Sequence, residues 1–231
     1  MLDPDVAARA ELFARLALEM HDAGGVEETV DAVVQFALHA LDCSHAGVAL
    51  YTKGGRPELP AVTDPVLVEI YQPQLDGQEG PMMVSMRECV EVLVRDTASD
   101  NRWPEWSEMV TELGVRSVFD VPLVLGPDSA TVGVLCLYSK IPDGFSWDDK
   151  AIAHILARHA SVAVATARHE KTMAAAVDAR KLVGQAMGIL MERYDVNADR
   201  AFAILKRYSQ DTNTKLHTVA QQLVDTRKLP R

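Results

Sequence analysis

The sequence is short of several features that exported proteins, membrane proteins and enzymes rely on. It has three cysteines, Cys43, Cys89 and Cys136, an odd number with no Cys-x-x-Cys among them. A disulfide framework is therefore not expected, and the apolar neighbours of each point to reduced, buried thiols. No apolar run approaches the roughly 18 residues of a membrane-spanning helix. The start, Met1-Leu-Asp-Pro-Asp5, is acidic and lacks the basic opening and apolar stretch of a signal peptide, so a cytoplasmic protein is expected. Gly-rich phosphate loops, His-Glu-x-x-His and Gly-x-Ser-x-Gly are all missing. The seven histidines form no ligand cluster, and His154 and His159, five apart on a helix, face different ways. No catalytic residue and no metal site is assigned, and an enzyme is not expected.

What is present is an ordinary soluble composition, 48% hydrophobic and 24% charged, with length for one domain and a smaller one. The net charge of −10 hides a split: from Asp178 onward ten Lys/Arg face six acids, a balance of +4, which leaves −14 for the rest. A basic tail on an acidic body is the division expected when one end meets a polyanion, although a merely solvated helical surface has the same count.

Helical spacing marks Pro4–His21, with Leu12, Phe13, Leu16, Ala17 and Met20 on one face, and Val26–Leu41, with Val30, Val33, Val34 and Ala37 inward. Strands are predicted at 47–51 and 59–63 around a turn at 53–56, and again at 91–95, 117–124 and 131–138, the last two joined by a turn at 126–129. Short helices fall near 66–71 and 107–113. This order predicts an α+β fold, an antiparallel sheet with helices mostly on one face. From Ser146 everything reads as helix. Ile152, Ile155, His159, Val162, Thr166, His169 and Met173 follow a 4-3 spacing, which predicts a helix lying on its own sheet first and pairing as a coiled coil with a second chain further on.

The element order, with Asn101-Arg-Trp-Pro-Glu-Trp106, Leu113-Gly-Val-Arg-Ser-Val-Phe-Asp-Val-Pro-Leu123 and Gly133-Val-Leu-Cys-Leu-Tyr138, resembles the GAF family of small-molecule sensor domains, and in particular those of actinobacterial regulators. The resemblance covers roughly Val26–Ala167. It implies a pocket between the sheet and the loops around Met82–Met86 and Asp96–Trp106. Trp103, Arg116 and Asp120 are the candidate ligand-binding residues there; alternatively Trp103 plugs the core and Arg116 pairs with a nearby acid. Where many relatives carry Gly-Pro-Cys, this chain has Gly80-Pro81-Met82. An Asn-Lys-Phe-Asp-Glu signature and a bilin-attachment cysteine are both missing, so haem, flavin, bilin and cyclic nucleotide find no support. A small-molecule ligand of unknown identity is the remaining expectation.

The tail contains Arg180-Lys-Leu-Val-Gly-Gln-Ala-Met-Gly-Ile-Leu-Met-Glu-Arg193, Ala201-Phe-Ala-Ile-Leu-Lys-Arg-Tyr-Ser-Gln210 and Asn213-Thr-Lys-Leu-His-Thr-Val-Ala220. Its pattern predicts three helices. The first ends near Tyr194, and the second is capped by Asn197 with Ala201, Phe202 and Leu205 inward. The third opens at Asn213 or Thr214 with Leu216, Val219, Ala220 and Leu223 inward. These motifs resemble the ANTAR domain, the RNA-binding module of transcription antitermination regulators. The resemblance implies a long connecting helix and a three-helix module that acts in pairs, in a homodimer, on leader RNA stem-loops. Arg180, Lys181, Lys206, Arg207 and Lys215 are placed to meet phosphates. Ser209, Gln210 and Asn213 are placed to read loop bases, where RNA sequence is usually read. Tyr208 either stacks on a base or packs between helices. The expected division is an N-terminal helix (residues 1–25), a sensor domain (26–167), and a linker helix with the RNA-binding domain (168–231). The rivals are a DNA-binding regulator, disfavoured by the missing Gly-centred turn between the second and third helices, and a dimeric signalling scaffold.

Overall fold

Two strands of the chain bury nearly every residue, on both faces, and this sets the architecture around them. They are β4 (Ser117–Leu123) and β5 (Gly133–Ser139). With β1 (His45–Tyr51), β2 (Pro57–Val62) and β3 (Val92–Val94) they form an antiparallel sheet in the order β2-β1-β5-β4-β3. The prolines of β2 sit on an edge strand, where a missing N–H leaves no ladder bond unmade. The computed structural model describes residues 14–16, 18, 23–52, 55–77, 79–126 and 130–228. The helix expected over Pro4–His21 lies mostly outside them, although Leu16 is helical and buried. The turns expected at 53–56 and 126–129 are described only in part.

Helices cover both faces of the sheet, not mostly one as the sequence pattern predicts. The reason is that β4 and β5 do not alternate apolar with polar, so neither face can meet water. On one face Phe119, Val121, Leu135 and Leu137 pack against α1 (Val26–Ala40) and the first turns of α5 (Trp147–Tyr194). On the other, Val118, Val134, Cys136 and Tyr138 pack against α2 (Val66–Gly77), α3 (Pro81–Glu88) and α4 (Pro104–Glu112).

Two of these helices are longer or newer than the sequence predicts. Helix α2 runs through Pro73, whose missing N–H would ordinarily end it. Gln74 and Trp106 compensate nearby, both donating side-chain bonds to the Ile70 carbonyl (3.3 and 3.2 Å). Helix α3 occupies the stretch expected to be a loop around Met82–Met86, with Pro81 in its first turn. Gly80 precedes it at φ 132°, and a side chain there would run into buried Gln74, whose Oε1 accepts the Met82 N–H at 3.0 Å. Cys89 caps α3 in a left-handed conformation and is exposed, contrary to the expectation of a buried thiol. Cys43 is half-buried, its pKa pushed up to about 12 by desolvation, and Cys136 is fully buried.

The chain divides into two compact units, Met1–Arg168 and His169–Arg231. Helix α5 contributes to both. In the first unit it buries Ala153, Leu156, Ala157, Ala160, Val164 and Ala167. The 4-3 stripe lies elsewhere on its surface: Ile152 is half-buried, while Ile155, Val162 and Met173 are 44%, 60% and 56% exposed. From His169 to Asp178 every residue is exposed. The second unit continues with α6 (Ala198–Asp211) and α7 (Leu216–Thr226) around a small core of Ala186, Leu190, Ala201, Leu205, Val219, Ala220 and Leu223. Among the described residues no helix is long and apolar enough to cross a membrane.

Candidate functional site

In the second unit the side chains that face inward decide which are left to face a partner. Asn197 caps α6 by accepting the Arg200 N–H at 3.0 Å, which fixes where the helix begins. Ala201 and Leu205 then point into the core, with Ile204 and Tyr208 half-buried beside them. Lys206 and Arg207 follow on the outer side and are exposed. Arg207 lies 3.5 Å from Asp211 one turn on, but both are mostly exposed, and such a pair holds a guanidinium only weakly. Arg180, Lys181 and Lys215 are exposed as well.

Phe202 differs from expectation. It is 41% exposed, because a helix that buries Ala201 and Leu205 turns position 202 about 100° away from the core. It shares a flank with Lys206, four residues on.

The junction between α6 and α7 is a tight turn held by its own groups. Ser209 donates its hydroxyl to the Thr214 carbonyl at 2.6 Å, and Thr214 N–H donates to Ser209 O at 3.0 Å. Asn213 adopts φ 48°, the left-handed conformation that Gly would otherwise supply. Helix α7 starts at Leu216 with Lys215 at its cap, two or three residues later than the pattern predicts. Gln210 and Asn213 are exposed, and no hydrogen bond of either side chain is recorded among the described residues. Ser209 keeps only its acceptor capacity.

The three residues singled out in the first unit end up in three settings. Arg116 grips Asp96 through Nε and Nη2 (2.9–3.1 Å), pinning the turn that Asp96 opens. Trp103 is half-buried, edge-on to Trp106 (82° between planes). Asp120 is fully buried beside Cys136, its partner across the sheet, and near Tyr71 and Tyr138. Among the described residues neither carboxylate oxygen has a hydrogen-bond partner within bonding geometry, and the Tyr71 hydroxyl, packed over Gly47, has none either. Burial pushes the Asp120 pKa up to about 7. Tyr71 and Tyr138 lie near it, in a buried cluster that also holds Met82 and Met86. Among the described residues no group of three His, Cys, Asp or Glu could hold a metal ion.

Comparison with known families identifies both units. The GAF domain family matches residues 23–165 and the ANTAR domain family residues 171–224. The chain belongs to the GAF family and carries an ANTAR domain after it. GAF domains are sensor domains and ANTAR domains RNA-binding antitermination modules; neither is a catalytic domain.

Solved structures agree on the fold. A domain of a two-component sensor histidine kinase from Sinorhizobium meliloti is similar at 22% identity (TM-score 0.53, 65% of this chain and 98% of that one). The GAF domain of an Acinetobacter phosphoenolpyruvate-protein phosphotransferase is similar at 17% (TM-score 0.56, 70% and 95%), and that of its Coxiella burnetii counterpart at 16% (0.55, 71% and 96%). A search of curated proteins found no match.

Sequence reasoning missed a second feature of the GAF domain, a cleft of about 550 Å³ on its surface lined by Pro73, Trp103, Trp106, Met109, Glu79 and Glu105, among others. The two tryptophans stand out in the sequence. That α2 continues past Pro73 to meet them does not.

Proposed function

We propose that the protein is an RNA-binding transcription antitermination regulator whose GAF domain receives a signal and controls the ANTAR domain. The observation that carries this reading is the outer flank of α6, where Lys206 and an exposed Phe202 stand together on an ANTAR domain. A cation beside an aromatic ring suits a phosphate and an unstacked base, the combination that loop RNA offers and a duplex does not. Arg180, Lys181, Arg207 and Lys215 add phosphate contacts. Gln210 and Asn213 read base edges, with Ser209 holding the turn that presents them and offering one acceptor. The target is a structured leader stem-loop whose capture prevents a terminator hairpin, which places the protein in the cytoplasm with nascent RNA.

The exposed stripe on α5 supports a homodimer, since Ile155, Val162 and Met173 repeat at coiled-coil spacing. A ligand or partner of the GAF domain that favours one pairing of this helix over another would shift RNA affinity by its difference in affinity for the two states.

One observation keeps a second reading alive. Asn213 supplies the tight turn whose missing glycine argued against a DNA-binding helix-turn-helix. A gel-shift comparison separates the two: full-length protein should bind a leader stem-loop more tightly than duplex DNA, and Phe202→Leu should lower RNA affinity by about tenfold, within the range for losing one stacked base. Tighter binding to duplex DNA, with Phe202→Leu neutral, would replace RNA with DNA as the target.

A further inference from the structure

We propose that the Trp103–Trp106 cleft of the GAF domain binds a small organic cation, an amine or quaternary ammonium on an apolar body. This names a ligand class for the sensor role proposed above and rests on that reading only for its biological consequence.

The cleft's volume of about 550 Å³ suits a small molecule. Its floor is apolar: Pro73 from α2, with Trp103, Trp106 and Met109 from α4 and its approach. The charge around it is one-sided. Glu79 and Glu105 are exposed carboxylates for which no ion pair is recorded among the described residues. Arg102, the one cation in the lining among the described residues, is already committed. Its Nε lies 3.1 Å from both Asp100 oxygens, and its Nη2 donates to Asp100 (2.6 Å) and to the Leu93 carbonyl (2.7 Å). The Arg102 guanidinium holds the Asp100 carboxyl below the usual carboxylate range. Among the described residues the cleft therefore presents two carboxylates without an ion pair and two indole rings to a visitor.

The rings themselves favour a cation. Arg102 already stacks on Trp103, its guanidinium carbon 4.6 Å from the ring centre, and the negative π-face is the physical reason. An ammonium with an apolar body gains from the rings and from Glu79 and Glu105 together. A phosphate-bearing nucleotide meets two carboxylates beside a guanidinium already paired with Asp100, so that class is disfavoured. Buried Asp120 is a separate feature and does not line this cleft.

The test uses tryptophan emission from the full-length protein carrying Trp147→Phe, which removes the tryptophan outside the cleft. Three probes share one ring and differ in charge: benzyltrimethylammonium, benzyl alcohol and benzoate. The expected result is saturable quenching by the ammonium, affinity about tenfold weaker for the alcohol, and none for benzoate. Glu79→Gln with Glu105→Gln, both at exposed positions, should weaken the ammonium about tenfold and leave the alcohol unchanged. Trp103→Ala should abolish the response. Equal affinity for ammonium and alcohol, or no saturable response to the ammonium, overturns the proposal, as does an unchanged affinity in the double glutamine variant. RNA affinity measured with and without the ammonium is a separate readout. If the cation binds and RNA affinity stays constant, the site stands and the coupling proposed above falls.

Discussion

Two residues with unusual surroundings make predictions at their own scale. The Asp120 carboxyl ionises near pH 7 in the folded chain and near its ordinary 3.8 when unfolded. Between those values the unfolded state binds fewer protons, so stability falls as pH rises through that window and levels off above it. The shift corresponds to roughly 4 kcal/mol at most, so Asp120→Asn should raise Tm at pH 8 and flatten the dependence between pH 4 and 7. Equal Tm differences at pH 4 and pH 8 would remove Asp120 as the source. Asn213 offers a cleaner separation of fold from function. Asn213→Gly suits the left-handed turn and should leave Tm unchanged, whereas Asn213→Ala should cost about 1 kcal/mol. Both remove the side chain, so both should weaken RNA binding; full affinity in the glycine variant would take Asn213 out of the interface. At this scale the sequence was partly legible. The Asn197 cap and the inward Ala201 and Leu205 follow from local rules, and Phe202 was misplaced because an aromatic beside two core positions looks like a third. The isolation of Asp120 could not be read at all, because it depends on Cys136 and Tyr71 arriving from other elements.

Among the elements, β1, β4, β5 and α1 are legible because each has a single period. The start of α2 near Val66 is legible too, but its continuation past Pro73 and the whole of α3 are not, because Pro73 and Gly80-Pro81 are ordinary stop signals. Gln74 overrides them: its side chain donates to the Ile70 carbonyl and accepts from the first turn of α3. The first bond spans a single helical turn, but the Trp106 indole that joins it at the Ile70 carbonyl comes from 36 residues away, beyond any local window. The stripe on α5 was visible as spacing, and the structure adds that Ile155, Val162 and Met173 are left exposed. Val162, 60% exposed, therefore makes a good probe. Val162→Glu should leave the folded chain's stability within about 0.5 kcal/mol of native, as expected for a surface change, yet place like charges in the proposed seam. Light scattering should then report half the native mass, and a native mass for the variant would place the dimer interface elsewhere.

For the whole molecule, the charge split was the first sign of two jobs in one chain. Which positive charges meet RNA is a matter of ionic strength: removing Lys206 and Arg207 together should lower the slope of log affinity against log salt by roughly 0.7–0.9 for each phosphate that is no longer neutralised. An unchanged slope would exclude both. That a GAF domain precedes an ANTAR domain was readable from family motifs, whereas the cleft on the GAF domain needed α2 and α4 brought together. The uncovered stretch from His169 to Asp178 has one more consequence. A solvent-exposed helical segment opens locally at little free-energy cost, and an open backbone is what a protease needs. Trypsin at low dose should therefore cut first at Lys171, Arg180 or Lys181, separating fragments close to the two domains. RNA or high protein concentration should slow that cut if pairing shields the helix, so the rate of nicking would serve as a simple gauge of assembly.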